Sequence, residues 1–273
     1  MLMLADGHIH LFENGYKDSG ANEISLYEEL IKQHSIKCAL VVGYEGESWA
    51  TGNNVYIASL AQTRPWIHPL AFFKPENLQV SQLENLLSLG FEGITLYIFS
   101  EQEMADLSAV DDSVWAWLVD HKWMVSVNSK AHFWNAWLDV MSKWTDLILL
   151  ISHLGLPQVD ADHLASDDIA LELSTIGKLH SYSNVYLKLS GFYALEQEDP
   201  AYPYPSLRNY LHYIVNNFDR TRLIWGSDFS PALATVTFAQ TFEHFSTLEF
   251  LGQIDKKMIL HQNLLQLIAK LEN

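Results

Sequence analysis

The sequence predicts a (β/α)8 barrel, and three observations carry that reading. Eight short apolar segments alternate with longer helical patterns along the whole chain. The length, 273 residues, matches the ~250 that one such barrel uses. Ionisable residues stand at the ends of several apolar segments, where a barrel keeps its active site. The strand candidates are residues 3–7, 39–43, 67–72, 93–99, 124–128, 147–153, 185–190 and 223–228. Most are near-continuous apolar runs, as expected of parallel strands covered on both faces.

Helical patterns fill the intervals. Residues 25–34 open on Ser25 with Glu28 three positions on, a capping-box pattern. Residues 81–89 place Leu83, Leu86 and Leu87 on one face before Gly90, a C-terminal stop. Residues 113–121 and 134–144 are Trp-rich, and their stripes read as core packing. Residues 207–218, 235–250 and 263–271 supply the later helices. No interdomain linker is found, so residues 1–273 read as a single domain. None of the strand candidates is short, charged or Pro-broken enough for an open edge, which favours a closed barrel over an open sheet. The likeliest irregular stretch, residues 191–205, carries Glu196, Glu198, Asp199 and three prolines on the mouth side, as a lid, a binding loop or an ordinary solvated loop.

Composition excludes several classes. Hydrophobic residues make up 49%, enough for a large core, and charged residues 18%. A formal net charge of -17 disfavours nucleic acid and anionic membranes as partners. It leaves a small-molecule substrate as the expected partner, with a homo-oligomer open. No apolar run approaches the ~20 residues of a membrane span, and residues 1–6 carry no signal-peptide pattern. The single cysteine, Cys38, lies in an apolar run and reads as a buried thiol; a cytoplasmic location is expected.

The chemistry begins with Asp6-Gly7-His8-Ile9-His10 at the end of the first strand. Residues two apart on a strand share a face, so His8 and His10 can converge on one metal ion or substrate, and Asp6 shares their parity to orient an imidazole from below. Chance alone gives roughly 0.5 H-x-H pairs in a chain with twelve histidines, so the pair gains meaning only from its position. The sixth strand candidate ends in Ser152-His153-Leu154-Gly155, which offers His153 as a general acid/base or polarising group. The eighth ends in Gly226-Ser227-Asp228, and strands 8 and 1 are neighbours in a closed barrel. Asp228 is thereby a candidate metal ligand or a base for water.

These motifs, together with Asn184-Val185-Tyr186-Leu187-Lys188-Leu189-Ser190-Gly191 and the tail Ile259-Leu260-His261-Gln262-Asn263, resemble the amidohydrolase-2 family, from end to end of the chain. The family comprises barrel hydrolases, mostly metal-dependent, with sugar-acid and dicarboxylate lactonases and related decarboxylases. The resemblance implies that His8 and His10 bind metal or substrate, that Asp228 ligates metal or activates water as a catalytic group, and that His153 is catalytic or polarises the substrate. It also implies that Lys188 matches a strand-7 lysine of the lactonase branch. Two positions depart from the pattern. Asn128 ends strand 5 where many metal-bearing members carry histidine, and strand 4 has no Lys or Arg near Thr95. His132 is a possible substitute ligand. Asn128, Tyr97 and Lys188 are candidate substrate-binding residues.

The expected cofactor is one divalent ion, zinc by ligand type, or none, as in metal-independent lactonases. The expected activity is opening of a lactone of a small sugar acid or carboxylic acid by activated water. The alternatives are a non-oxidative decarboxylase and a catalytically inactive binding barrel. Trp49, Trp66, Tyr97, Phe99, Phe192 and Tyr193 fall near strand ends, as a substrate wall or as loop packing, the latter for at least half of them.

Overall fold

The structure, a computed structural model, describes residues 3–158, 166–195 and 202–272. Eight parallel strands follow in chain order: β1 (Leu4–Ile9), β2 (Ile36–Val42), β3 (Ile67–Phe73), β4 (Gly93–Ile98), β5 (Met124–Ser129), β6 (Ile148–Ile151), β7 (Val185–Leu189) and β8 (Leu223–Trp225). Each pairs with the next, as the eight apolar segments predict. The ring is drawn shut past the end of β8. Ile9 bridges Phe229 in parallel, the Asp228 amide donates to the His8 carbonyl at 2.9 Å, and the His10 amide donates to the Phe229 carbonyl.

Period-two alternation sorts the strand residues into two cores. Val41, Ile94, Leu96, Val127, Leu149, Ile151 and Leu187 pack outward against the helices. Ala5, Cys38, Leu40, Leu70, Met124, Leu150, Tyr186 and Ile224 fill the lower barrel. Leu264, Leu267 and Ile268 of the closing helix Asn263–Leu271 join that inner cluster at the amino-terminal end of the strands. Burial pushes the Cys38 thiol up to about 12, which makes it unreactive.

Two helices differ from expectation for local reasons. The first helix spans Glu23–His34, and its N-cap is Asn22, whose Oδ1 accepts from the Ser25 amide at 3.2 Å. Ser25 is therefore not the cap, and Glu28 instead pairs with Arg64 at 2.8 Å. The expected helix at 235–250 is broken into Gln240–Glu243 and a 3-10 turn His244–Thr247. Thr237 restarts the chain there: the Gln240 amide donates to its Oγ1 (3.3 Å), and its own amide donates to Gln240 Oε1 (2.8 Å), a reciprocal capping box. The Trp stripes are core, with Trp115 and Trp137 buried edge-to-face at 6.0 Å. No helix among the described residues is long and apolar enough to cross a membrane.

Candidate active site at the carboxyl ends of the strands

His8, His10, His153 and Asp228 meet where the strands end, all buried. His8 Nε2 and His10 Nε2 are 3.2 Å apart, and Asp228 Oδ1 lies 3.6 Å from each. The seam between β8 and β1 permits this approach: a Cβ on Gly226 would stand 2.7 Å from His8 Cβ. Asp228 and His153 both adopt left-handed backbone, at φ 57 and 52. Non-glycine residues rarely do so, at a cost of about 1–2 kcal/mol each, and such strain concentrates at functional sites. A second close approach sets the His153 ring. Gly191 (φ 68) leaves room that a Cβ would fill at 2.4 Å from His153 Nδ1.

Each imidazole is oriented by a partner on its far nitrogen. His10 Nδ1 donates to the Val42 carbonyl at 2.7 Å, so its Nε2 lone pair faces His8 and Asp228. Ser152 Oγ (3.4 Å) and Lys188 Nζ (3.3 Å) both reach His8 Nδ1. Ser190 Oγ accepts the His153 amide (3.3 Å) and lies 3.0 Å from His153 Nδ1. Its hydroxyl proton can donate to Nδ1, and in that arrangement the His153 proton sits on Nε2. Burial holds the imidazoles of His8, His10 and His153 below the usual histidine range; Lys188 adds to this at His8, while Asp228 opposes it at His10 and His153. All three are neutral at pH 7, the form that binds metal. Tyr193 donates to Asp228 Oδ2 at 2.7 Å. Burial, reinforced by the Asp228 charge, raises the Tyr193 phenol and keeps it a donor.

Asp228 Oδ1 is buried with no hydrogen-bond partner. An unpaired buried carboxylate oxygen 3.6 Å from two imidazole Nε2 atoms is an arrangement that suits a bound cation. Tetrahedral ligands with bonds of about 2.0–2.1 Å stand about 3.3–3.4 Å apart, close to the observed triangle. His8, His153 and Asp228 also bring one donor atom each within 4.8 Å of one another. The His8, His10 and Asp228 set is tighter, at 3.2–3.6 Å, so these three residues fit a divalent ion best.

Other expected residues fall into different places. Asp6 does not support an imidazole. Register irregularities on either side of it in β1 turn its carboxylate to the His8 and Ser227 amides (3.3 and 2.8 Å) and the Tyr27 hydroxyl (3.0 Å). Burial pushes Asp6 up to about 7 against those hydrogen bonds. Lys188 is fully buried beneath His8, donates to Ser126 Oγ at 2.8 Å, and does not line the cavity. Burial pushes it down to about 7, opposed by the charges of Asp228 and Asp6. His132 lies away from the site, paired with exposed Glu101 at 2.8 Å. Asn128 and Tyr97 do line the cavity, and Asn128 Oδ1 is buried and unpaired.

The cavity above these residues encloses about 650 Å3. Of the six aromatics read from strand ends, Trp49, Tyr97 and Tyr193 line it. Trp66 stacks on Tyr27 and Phe192 packs against His244, both as scaffold. Phe12, Tyr16 and Tyr44 also line it and went unread. Phe12 continues the parity of His8 and His10, and Tyr44 that of Leu40 and Val42, so the signal was present. In the 191–205 stretch, Tyr193 and Ala194 reach the cavity from a helix at Phe192–Leu195. Glu196, Glu198 and Asp199 lie outside the described residues.

Known proteins share this architecture. An amidohydrolase from Burkholderia multivorans superposes with TM-score 0.77 at 14% identity, covering 98% of this chain and 99% of that one. A second crystal form of a Burkholderia multivorans amidohydrolase, with bound zinc, gives 0.76 at 13%, covering 98% and 99%. A Pseudomonas putida protein named for 2-pyrone-4,6-dicarboxylic acid hydrolysis gives 0.75 at 20%, covering 98% of each chain. At these identities the likeness is one of fold. No curated protein matches the chain. The sequence model of the amidohydrolase family matches residues 6–263, from the buried Asp6 beside the histidine pair to Asn263 of the closing helix, and the chain therefore belongs to the amidohydrolase family.

Proposed function

We propose that this hydrolase opens a lactone, with a divalent ion, zinc by its ligand set, held by His8, His10 and Asp228. The observation that carries the reading is the unpaired Asp228 Oδ1 at 3.6 Å from two neutral imidazoles on a cavity floor. The ion, when bound, would polarise the ester carbonyl and acidify water. The Asp228 carboxylate accepts the proton of the attacking water. Tyr193 takes one lone pair of Oδ2, so the carboxylate keeps acceptor sites for the proton as well as a face that would hold the ion. The His153 Nε2 proton donates to the carbonyl oxygen as it gains charge. The water oxygen bonds to the carbonyl carbon, the ring C–O bond breaks, and the proton held by Asp228 passes to the leaving alkoxide. A positioned acid/base contributes ~10²–10⁴ in rate and an oxyanion donor ~10²–10³. Names of structural neighbours that include a lactone hydrolase support the substrate class.

The test is proton release in a pH-stat with a panel of γ- and δ-lactones, alongside a CO2 assay with carboxylic-acid substrates. Ring opening without CO2, abolished in Asp228→Asn, is expected. CO2 release without ring opening would replace this reading with decarboxylation. Neither product, with ligand binding retained in Asp228→Asn, would make the barrel a binding protein.

A further inference from the structure

We infer that the substrate presents an uncharged aromatic ring to the cavity and is not a dicarboxylate; this deepens the lactonase reading and rests on it. One wall is a continuous run of rings beginning at the metal-binding pair. His10 stacks on Phe12 (5.8 Å, 9°), Phe12 meets Trp49 edge-on (4.8 Å), and Tyr16 meets Trp49 at 5.3 Å. Trp49 continues to Tyr44 at 6.0 Å, and Tyr44 to Tyr97 at 5.2 Å. Tyr193 lines the cavity beside Asp228.

The wall is fixed before any ligand arrives. Buried Glu23 accepts the amides of Phe12 and Tyr16, both at 2.7 Å. Buried Asn53 accepts the Tyr44 amide (3.0 Å) and donates to the Leu11 carbonyl (2.7 Å), which locks the loops after β1 and β2 together. Two buried polar side chains spent on holding ring-bearing loops point to a surface built for stacking.

Charge points the same way. Among the described residues lining the cavity, Lys17 is the one full cation, against the carboxylates of Glu47 and Asp228. Lys17 is exposed, at the rim, over the Tyr16 ring at 5.0 Å. No arginine lines the cavity among the described residues, and an ion on His8, His10 and Asp228 would be taken up by the lactone carbonyl, so exposed Lys17 alone is left for the two carboxylates of a dicarboxylate and at least one would lie unpaired against aromatic faces. A planar uncharged ring loses no ionic hydration there and gains stacking contact along the wall.

The experiment compares kcat/KM for 6-phenyl-δ-valerolactone, δ-valerolactone and 2-pyrone-4,6-dicarboxylate, using wild-type protein and Trp49→Leu. The phenyl lactone is expected to exceed the unsubstituted ring by about tenfold or more, with the dicarboxylate slowest. Trp49→Leu, which keeps an apolar side chain but no ring, should lower that ratio severalfold. Lactone turnover with a ratio near one, or with the dicarboxylate preferred, overturns the inference and leaves the lactonase reading standing. If no lactone is opened, that reading fails, and calorimetric binding of the matching lactams decides the wall separately. Tenfold tighter binding of the phenyl lactam supports the inference, and equal binding overturns it.

Discussion

Asp228 is asymmetric: one oxygen carries the Tyr193 hydroxyl and the other faces two imidazoles unpaired, on backbone at φ 57. The proposed role as base and ligand accounts for such a strained, half-paired carboxylate. Asp228→Asn is therefore expected to lower kcat/KM by about 10³-fold or more while leaving the Tm of the metal-free protein unchanged or slightly raised, since Asn tolerates left-handed backbone and buries no charge. Steady-state kinetics with thermal melts check this, and a Tm loss above ~5 °C would give Asp228 a structural role. Tyr193→Phe removes one orienting donor, and a loss of about 10–100-fold in activity or metal affinity is expected. At this scale the sequence was readable where parity held. His8 and His10 converge as their spacing requires, and Phe12 extends the same rule. Parity failed at Asp6, because irregular pairing in β1 turned a shared face into a backbone clamp. Nothing in the order of residues marks such a bulge.

Strand ends deliver the site, and glycines at those ends let side chains approach. Gly191 follows β7 at φ 68, with the His153 ring where a Cβ would project, 2.4 Å from Nδ1. Gly191→Ala strains the backbone and displaces that ring, so a loss of about 1–3 kcal/mol in stability and a fall in kcat larger than any change in KM are expected. Chemical denaturation and kinetics on the same variant check both, and unchanged kcat would remove His153 from the reaction. All eight strands were legible, because most are apolar runs buried on both faces and the first is marked by its histidine pair. The helix at 235–250 was not, although Thr237 and Gln240 spell its capping box. An amphipathic pattern continued through that box, and local side-chain hydrogen bonds outweighed it. Asn22 likewise displaces Ser25 as the cap, since either residue type can accept an amide.

Over the whole molecule, buried histidines couple folding to pH. His244 is buried against Phe192 (4.6 Å) and Phe245 (4.3 Å), and burial pushes it down to about 4 from an ordinary 6.5. Between those values the unfolded chain binds a proton that the native ring refuses. Stability from this residue is full above pH 6.5 and is lost as pH falls toward about 4, by on the order of 3 kcal/mol. His244→Phe should flatten that limb of the stability profile in urea titrations at pH 4, 5, 6 and 7, whereas an unchanged slope would assign it to other groups. The barrel itself was legible from alternation and length. The aromatic wall of the cavity was not fully so, because rings that pack loops and rings that face a substrate look alike in sequence until the loops are placed.

The central claim is that His8, His10 and Asp228 hold one divalent ion. Elemental analysis of the purified protein, with His8→Ala in parallel, tests it most directly. The expected result is about one equivalent of zinc or a similar ion in the wild type, absent from His8→Ala, with activity lost to chelator and restored by added metal. A folded wild-type protein that binds no ion on dialysis against zinc, and opens lactones undiminished in chelator, would contradict it.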